Sequence, residues 1–165
     1  MAQELEAGAR AAVAALTFGD RVAAAVDAKR SQLLVGLDPR AELLPVELRG
    51  DVHRGRASAA DAVARFCRGL VDAVAPYVVG VKPQLACFEA LGADGIRAFE
   101  DICEYARAAN LLVLADAKRG DIGSTARAYA DAYLEEHEDR PPPVDALTVS
   151  PYLGSDSIEP LVAAC

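Results

Sequence analysis

The segment Asp116-Ala117-Lys118-Arg119-Gly120-Asp121 places a lysine between two carboxylates, directly after the apolar run Leu111-Leu112-Val113-Leu114-Ala115. On an extended chain residues i and i+2 share a face, so Asp116 and Lys118 project together while Ala117 points the other way. Flanking carboxylates favour the ammonium form of Lys118, which can then hand a proton to a reacting atom. A second lysine, Lys82, closes the run Tyr77-Val78-Val79-Gly80-Val81. Of 17 basic residues only Lys29, Lys82 and Lys118 are lysine; the other 14 are arginine. Arginine is effectively never a proton donor, whereas lysine can be tuned to give up its proton, so two of the three lysines stand where such chemistry could operate. The ordinary alternative is a pair of strand-end lysines with stems along apolar surface and ammonium groups in water.

These side chains need a scaffold that brings strand ends together. Four short apolar runs, at 33–37, 77–81, 111–115 and 146–149, alternate with stretches of helical spacing, which predicts parallel strands in a βαβαβα order and an α/β fold. A helix over 18–29 precedes the first strand. Ser58, with Asp61 three residues on, predicts a capped helix from about Ala59 to Ala75, stopped by Pro76. Further helices are expected over about Asp94–Ala109 and Ser124–His137, and 40–57 reads as one long irregular connection. Asp38, Lys82, Asp116 with Lys118, and Ser150 then fall at the carboxyl ends of four successive strands, the face that hosts active sites in α/β barrels.

Composition narrows the function. At 165 residues and 53% hydrophobic the chain can bury a core, as one domain over 1–165. A net charge of -8 excludes the basic stripe that nucleic acid requires, and any small anionic substrate must find a locally positive site. The cysteines at 67, 87, 103 and 165 form no C-x-x-C pair and His53 and His137 lie far apart, which predicts a reduced, cytoplasmic protein without a zinc or other metal site. Glu4 and Glu6 stand where a secretory signal has bases, and the uncharged run 11–19 is too short to span a bilayer, so neither export nor membrane insertion is expected.

The stretches VGLDPR (35–40), VKPQLACFEALG (81–92), LADAKRGDIGSTA (114–126) and LTVSPYLGSDSIEP (147–160) together resemble the orotidine 5'-phosphate decarboxylase family, in its second subtype. That resemblance implies a (β/α)8 TIM barrel, of which about the first four β/α units lie in this chain. It implies decarboxylation of orotidine 5'-monophosphate to UMP in pyrimidine biosynthesis, without cofactor or metal. The charged array would be Lys82, Asp116, Lys118 and Asp121, with Lys118 protonating pyrimidine C6 as carbon dioxide leaves and Asp116 beside the substrate carboxylate. Asp38 would bind the ribose, and Ser150-Pro151 would line the substrate from the fourth strand. In the family's homodimer the equivalents of Asp121, Ile122 and Thr125 reach into the neighbouring site. Physical chemistry is consistent with these roles: a carboxylate about 4 Å from Asp116 is repelled by roughly 4 kcal/mol at an effective dielectric near 20, and loss of carbon dioxide relieves it. Stabilisation of the developing carbanion by the Lys118 ammonium would be the major contribution.

The chain departs from the family in one respect. A full barrel takes roughly 250 residues and commonly grips phosphate in the loops after strands seven and eight, whereas four strands are legible here. The expectation is an amino-terminal portion, inactive as an isolated 165-residue fragment. Two alternatives remain at this point: a related magnesium-dependent sugar-phosphate decarboxylase or aldolase, which would place a metal-binding glutamate near Lys82, and a noncatalytic half-barrel that associates through its open strand edges.

Overall fold

The computed structural model describes residues 17–137 and 141–165; Glu4, Glu6 and most of the run 11–19, on which the export and membrane expectations rest, lie outside them. Helix α1 (Phe18–Lys29) has the bounds that its pattern predicts. Thr17 starts it with a reciprocal capping box, its Oγ1 accepting from Asp20 N at 3.2 Å while Asp20 Oδ2 accepts from Thr17 N at 3.2 Å. No helix among the described residues is long and apolar enough to cross a membrane.

Strand β1 (Leu34–Leu37) leads into the connection expected to be irregular, which instead holds a 3-10 turn (Ala41–Leu43) and helix α2 (Val46–Val52). Pro45 occupies the position before α2, where a missing N–H costs nothing. Helix α3 (Arg56–Val74) begins ahead of Ser58, so the expected Ser58 cap does not form. Gly55 makes the earlier start possible, since its φ of +116° is closed to residues with a Cβ. Strand β2 (Gly80–Pro83) also starts later than the run from Tyr77 suggests, because Tyr77 N closes a turn on Val74 O and Tyr77 remains exposed. Lys82 therefore lies inside a strand rather than just past one. A short helix α4 (Leu85–Glu89), not anticipated, precedes α5 (Ala93–Ala108). Strand β3 (Leu112–Arg119) runs four residues beyond its apolar run, α6 (Gly123–Tyr133) stops short of His137, β4 (Ala146–Val149) matches expectation, and a 3-10 turn (Ser155–Ser157) leads to α7 (Glu159–Ala163).

All three strand pairs are parallel, and the spatial order β1-β2-β3-β4 is the chain order. This is the arrangement of the first four β/α units of a (β/α)8 barrel. The core lies on the outer face of the sheet, where Val63, Cys67 and Val71 of α3 and Phe99, Ile102 and Ala106 of α5 pack over Val81, Val113 and Ala115. Phe88 of α4 meets Phe99 edge-on at 5.7 Å. Burial pushes the thiols of Cys67 and Cys103 up to about 12, so both behave as small apolar groups. The inner face is barer: Leu34 is 41% exposed, and Leu112 and Leu114 are half-buried.

Candidate active site

Strand β3 supplies the centre of the site through an irregularity. Ala115 pairs with Leu147 but the next pair is Arg119 with Val149, so four residues of advance on β3 oppose two on β4. Within that bulge Lys118 has φ +51°, an unusual conformation for a residue with a Cβ. Neighbours hold it in place. Lys118 N donates to Thr148 Oγ1 at 3.0 Å, Ser150 N donates to Arg119 O at 2.7 Å, and Ser150 Oγ donates to Lys118 O at 3.3 Å. Gly120 permits the approach of β4, because a Cβ there would stand 2.7 Å from Ser150 O. Arg119 turns outward to pair with Glu89 and lies over the rings of Tyr129 and Tyr133 at 5.3 and 5.8 Å, tying the bulge to α4 and α6.

On the inner side Asp116, only 7% exposed, collects four donors. Lys82 Nζ at 2.6 Å and Gln84 Nε2 at 3.0 Å donate to Oδ2; Lys118 Nζ at 2.5 Å and Thr148 Oγ1 at 3.0 Å donate to Oδ1. A carboxylate has about four acceptor positions, so this one is saturated. The Lys118 ammonium, then that of Lys82, then the Thr148 hydroxyl hold its carboxyl well below the usual carboxylate range, against the opposing effect of burial. The lysine side chains are less covered, 33% exposed for Lys82 and 60% for Lys118. Two ammonium groups over one carboxylate leave one net positive charge within this three-residue cluster, on a chain whose total is -8. Such a floor can attract an anion, repel a carboxylate placed against Asp116, and deliver a proton from Lys118 Nζ.

The other anticipated residues divide. Ser150 is joined to the bulge, and Pro151 follows it exposed. Asp38 lies exposed at the end of β1, two residues beyond the Gly36–Lys82 pair, with no side-chain hydrogen bond among the described residues. Asp121 is not brought to the cluster: its Oδ1 accepts from Ile122 N at 2.8 Å, and Ile122 rather than Asp121 is the residue that caps α6. Ile122 is 53% exposed and Thr125 is exposed. Two members of the cluster, Gln84 and Thr148, are not among the residues expected from the sequence. Alternation would have found both, Gln84 two residues after Lys82 and Thr148 two before Ser150.

Comparison with known proteins bears on this geometry. Residues 31–165 match the family model described as the orotidine 5'-phosphate decarboxylase / HUMPS family. The chain is 51% identical over 153 residues to an orotidine 5'-phosphate decarboxylase of Rhodopirellula baltica, covering 91% of this chain and 51% of that protein. It is 48% identical over 147 residues to one from a Nocardioides species, covering 89% and 50%. The solved OMP decarboxylase of Leishmania donovani superposes with a TM-score of 0.70 at 35% identity, over 90% of this chain and 50% of that one. The chain thus spans about half the length of the curated relatives it matches.

Proposed function

The chain belongs to the orotidine 5'-phosphate decarboxylase / HUMPS family, and on that premise we propose that its charged floor is a catalytic centre for decarboxylation of orotidine 5'-monophosphate to UMP. One observation carries the reading: Lys82 and Lys118 meet on a single buried carboxylate at the open ends of adjacent strands. In the proposed step the bond from pyrimidine C6 to the carboxylate breaks, its electron pair stays on C6, and carbon dioxide departs. Lys118 Nζ donates a proton to C6 and regains one from water. Asp116 orients the Lys118 ammonium through the 2.5 Å bond and opposes the substrate carboxylate, while Lys82 holds Asp116 from the other side.

The remaining assignments extend this proposal. Asp38 binds the ribose, Ser150 and Pro151 line the substrate, and in a homodimer Asp121, Ile122 and Thr125 complete the neighbouring site. Residues 1–165 form one partial barrel domain of a cytoplasmic enzyme. The separation of Asp121 from the Asp116 cluster and the exposure of Ile122 support the dimeric assignment, since among the described residues neither is engaged by that cluster. The curated relatives are named for orotidine 5'-phosphate, which favours this substrate over a sugar phosphate. In (β/α)8 enzymes the phosphate is commonly held after strands seven and eight, beyond the four strands described here.

The test is to follow orotidine 5'-monophosphate absorbance with residues 1–165 alone and joined to the carboxyl-terminal half of the Rhodopirellula baltica relative. Turnover by the joined protein, and none by residues 1–165, is expected, because remote phosphate binding drives the chemical step. A folded joined protein without turnover would refute the assignment.

A further inference from the structure

We infer that Thr148, through one hydroxyl, is the positioning residue that holds Lys118 and Asp116 in register across the β3 bulge. Its Oγ1 accepts from Lys118 N at 3.0 Å and donates its own hydrogen to Asp116 Oδ1 at 3.0 Å. A hydroxyl has both capacities, so the two bonds are compatible and the polarity of each is fixed: the backbone amide can only donate and the ionised carboxylate can only accept. The strand ladder is broken at this point, with no β3–β4 pair between Ala115–Leu147 and Arg119–Val149, so the Thr148 side chain substitutes for a missing backbone partner of Lys118. It also opposes a conformation that Lys118 would otherwise leave, since φ +51° is disfavoured for a residue with a Cβ.

The neutrality of this donor has a further consequence. An anionic substrate competes with Asp116 for the ammonium groups of Lys82 and Lys118, and either lysine can swing toward it. Thr148 carries no charge, its stiff side chain springs from a strand paired at Leu147 and Val149 on either side, and it keeps its grip on Oδ1 when the lysines are drawn away. Gln84 donates to Oδ2 in the same neutral manner, but only Thr148 also fastens the backbone of Lys118. This inference rests on the proposed decarboxylation only in taking Lys118 as the proton donor; the positioning itself is a property of the described strands.

Thr148→Val keeps the shape and removes the hydroxyl, whereas Thr148→Ser keeps the hydroxyl. With three lysines in the chain, mass spectrometry after brief treatment of residues 1–165 with acetic anhydride reads each amine separately, and Lys29, bonded to Ala75 O at 2.6 Å on α1, reports on general loosening. Acetylation of Lys118 is expected to rise severalfold in Thr148→Val, with Lys29 unchanged and Thr148→Ser close to the parent. In the joined protein Thr148→Val should lower kcat with little change in KM, and Thr148→Ser should restore it. An unchanged Lys118 rate in Thr148→Val, or an equal rise at Lys29, would overturn the inference. The labelling does not require turnover, so an inactive joined protein would defeat the functional proposal and leave this one to be decided on its own result.

Discussion

Asp116 and Asp121 lie five residues apart in one motif yet occupy opposite circumstances. Asp116 is buried within β3 and saturated by donors from β2, β3, β4 and Gln84, whereas Asp121 sits past the bulge and, among the described residues, bonds only the adjacent backbone N–H. The first part of the array is thus assembled by the described strands themselves, while Asp121 stands apart from it, half-buried and bonded to Ile122 N. A carboxylate already balanced within the subunit is suited to orient a proton donor; one that is not can serve a neighbour.

Replacing the saturated member should have the larger effect. Asp116→Asn in the joined protein is expected to lower decarboxylation by about 10²–10³-fold, the scale of removing one preorganised electrostatic group. Circular dichroism should show the fold retained. Turnover within a few-fold of the parent would mean that Asp116 is a structural anchor for two lysines. For Asp121 the informative experiment is complementation. Mixing inactive Lys118→Ala and Asp121→Ala joined proteins should recover about a quarter of parental turnover, since half the dimers are mixed and each mixed dimer has one intact site. No recovery after demonstrated subunit exchange would confine Asp121 to its own α6 terminus.

The exposed apolar groups near the two outer loops sharpen the same contrast. Ile122 at 53%, Tyr152 at 90% and Leu153 at 58% exposure are expected to lie in the contact of the proposed homodimer. Ile122→Glu should therefore shift the joined protein toward monomer in sedimentation velocity, and an unaltered dimer would exclude Ile122 from the contact.

How much of this was legible in the sequence follows from local physics. The capped helix α1 and strand β4 have the bounds read from pattern because their signals are short-range: a capping box in one case, an apolar run between turn residues in the other. Strand β2 starts later than its apolar run because Tyr77 N turns onto Val74 O, so the first strand pair is Leu34–Gly80 although Tyr77 and Val78 look strand-like. Alternation pairs Asp116 with Lys118 and the strand ends put Lys82 on the same face, while their union in one array is implied by the family resemblance. The bulge is not legible there, since it arises from unequal advance of two strands distant in sequence, and the role of Thr148 depends on it. Asp121 enters the array through the family resemblance, which also assigns it to a neighbouring site; nothing in the local pattern of the motif separates it from Asp116.

The smallest expected effect is on pH-dependent stability. The folded-state pKa of Asp116 is lowered, chiefly by Lys118 and then by Lys82, so its stabilising contribution is complete above the unfolded value near about 4 and is lost as pH falls toward the folded value. Urea midpoints of residues 1–165 should decline more steeply below about pH 4 for the parent than for Asp116→Asn. Parallel declines would mean that the two ion pairs contribute little to folding.

The central claim, that the lysine held by Asp116 delivers the proton replacing carbon dioxide, is tested most directly by the turnover of Lys118→Ala in the joined protein. The account predicts a fall of at least about 10²–10⁴-fold, the contribution of a positioned general acid, with circular dichroism unchanged. Near-normal turnover would contradict it and remove Lys118 from the mechanism.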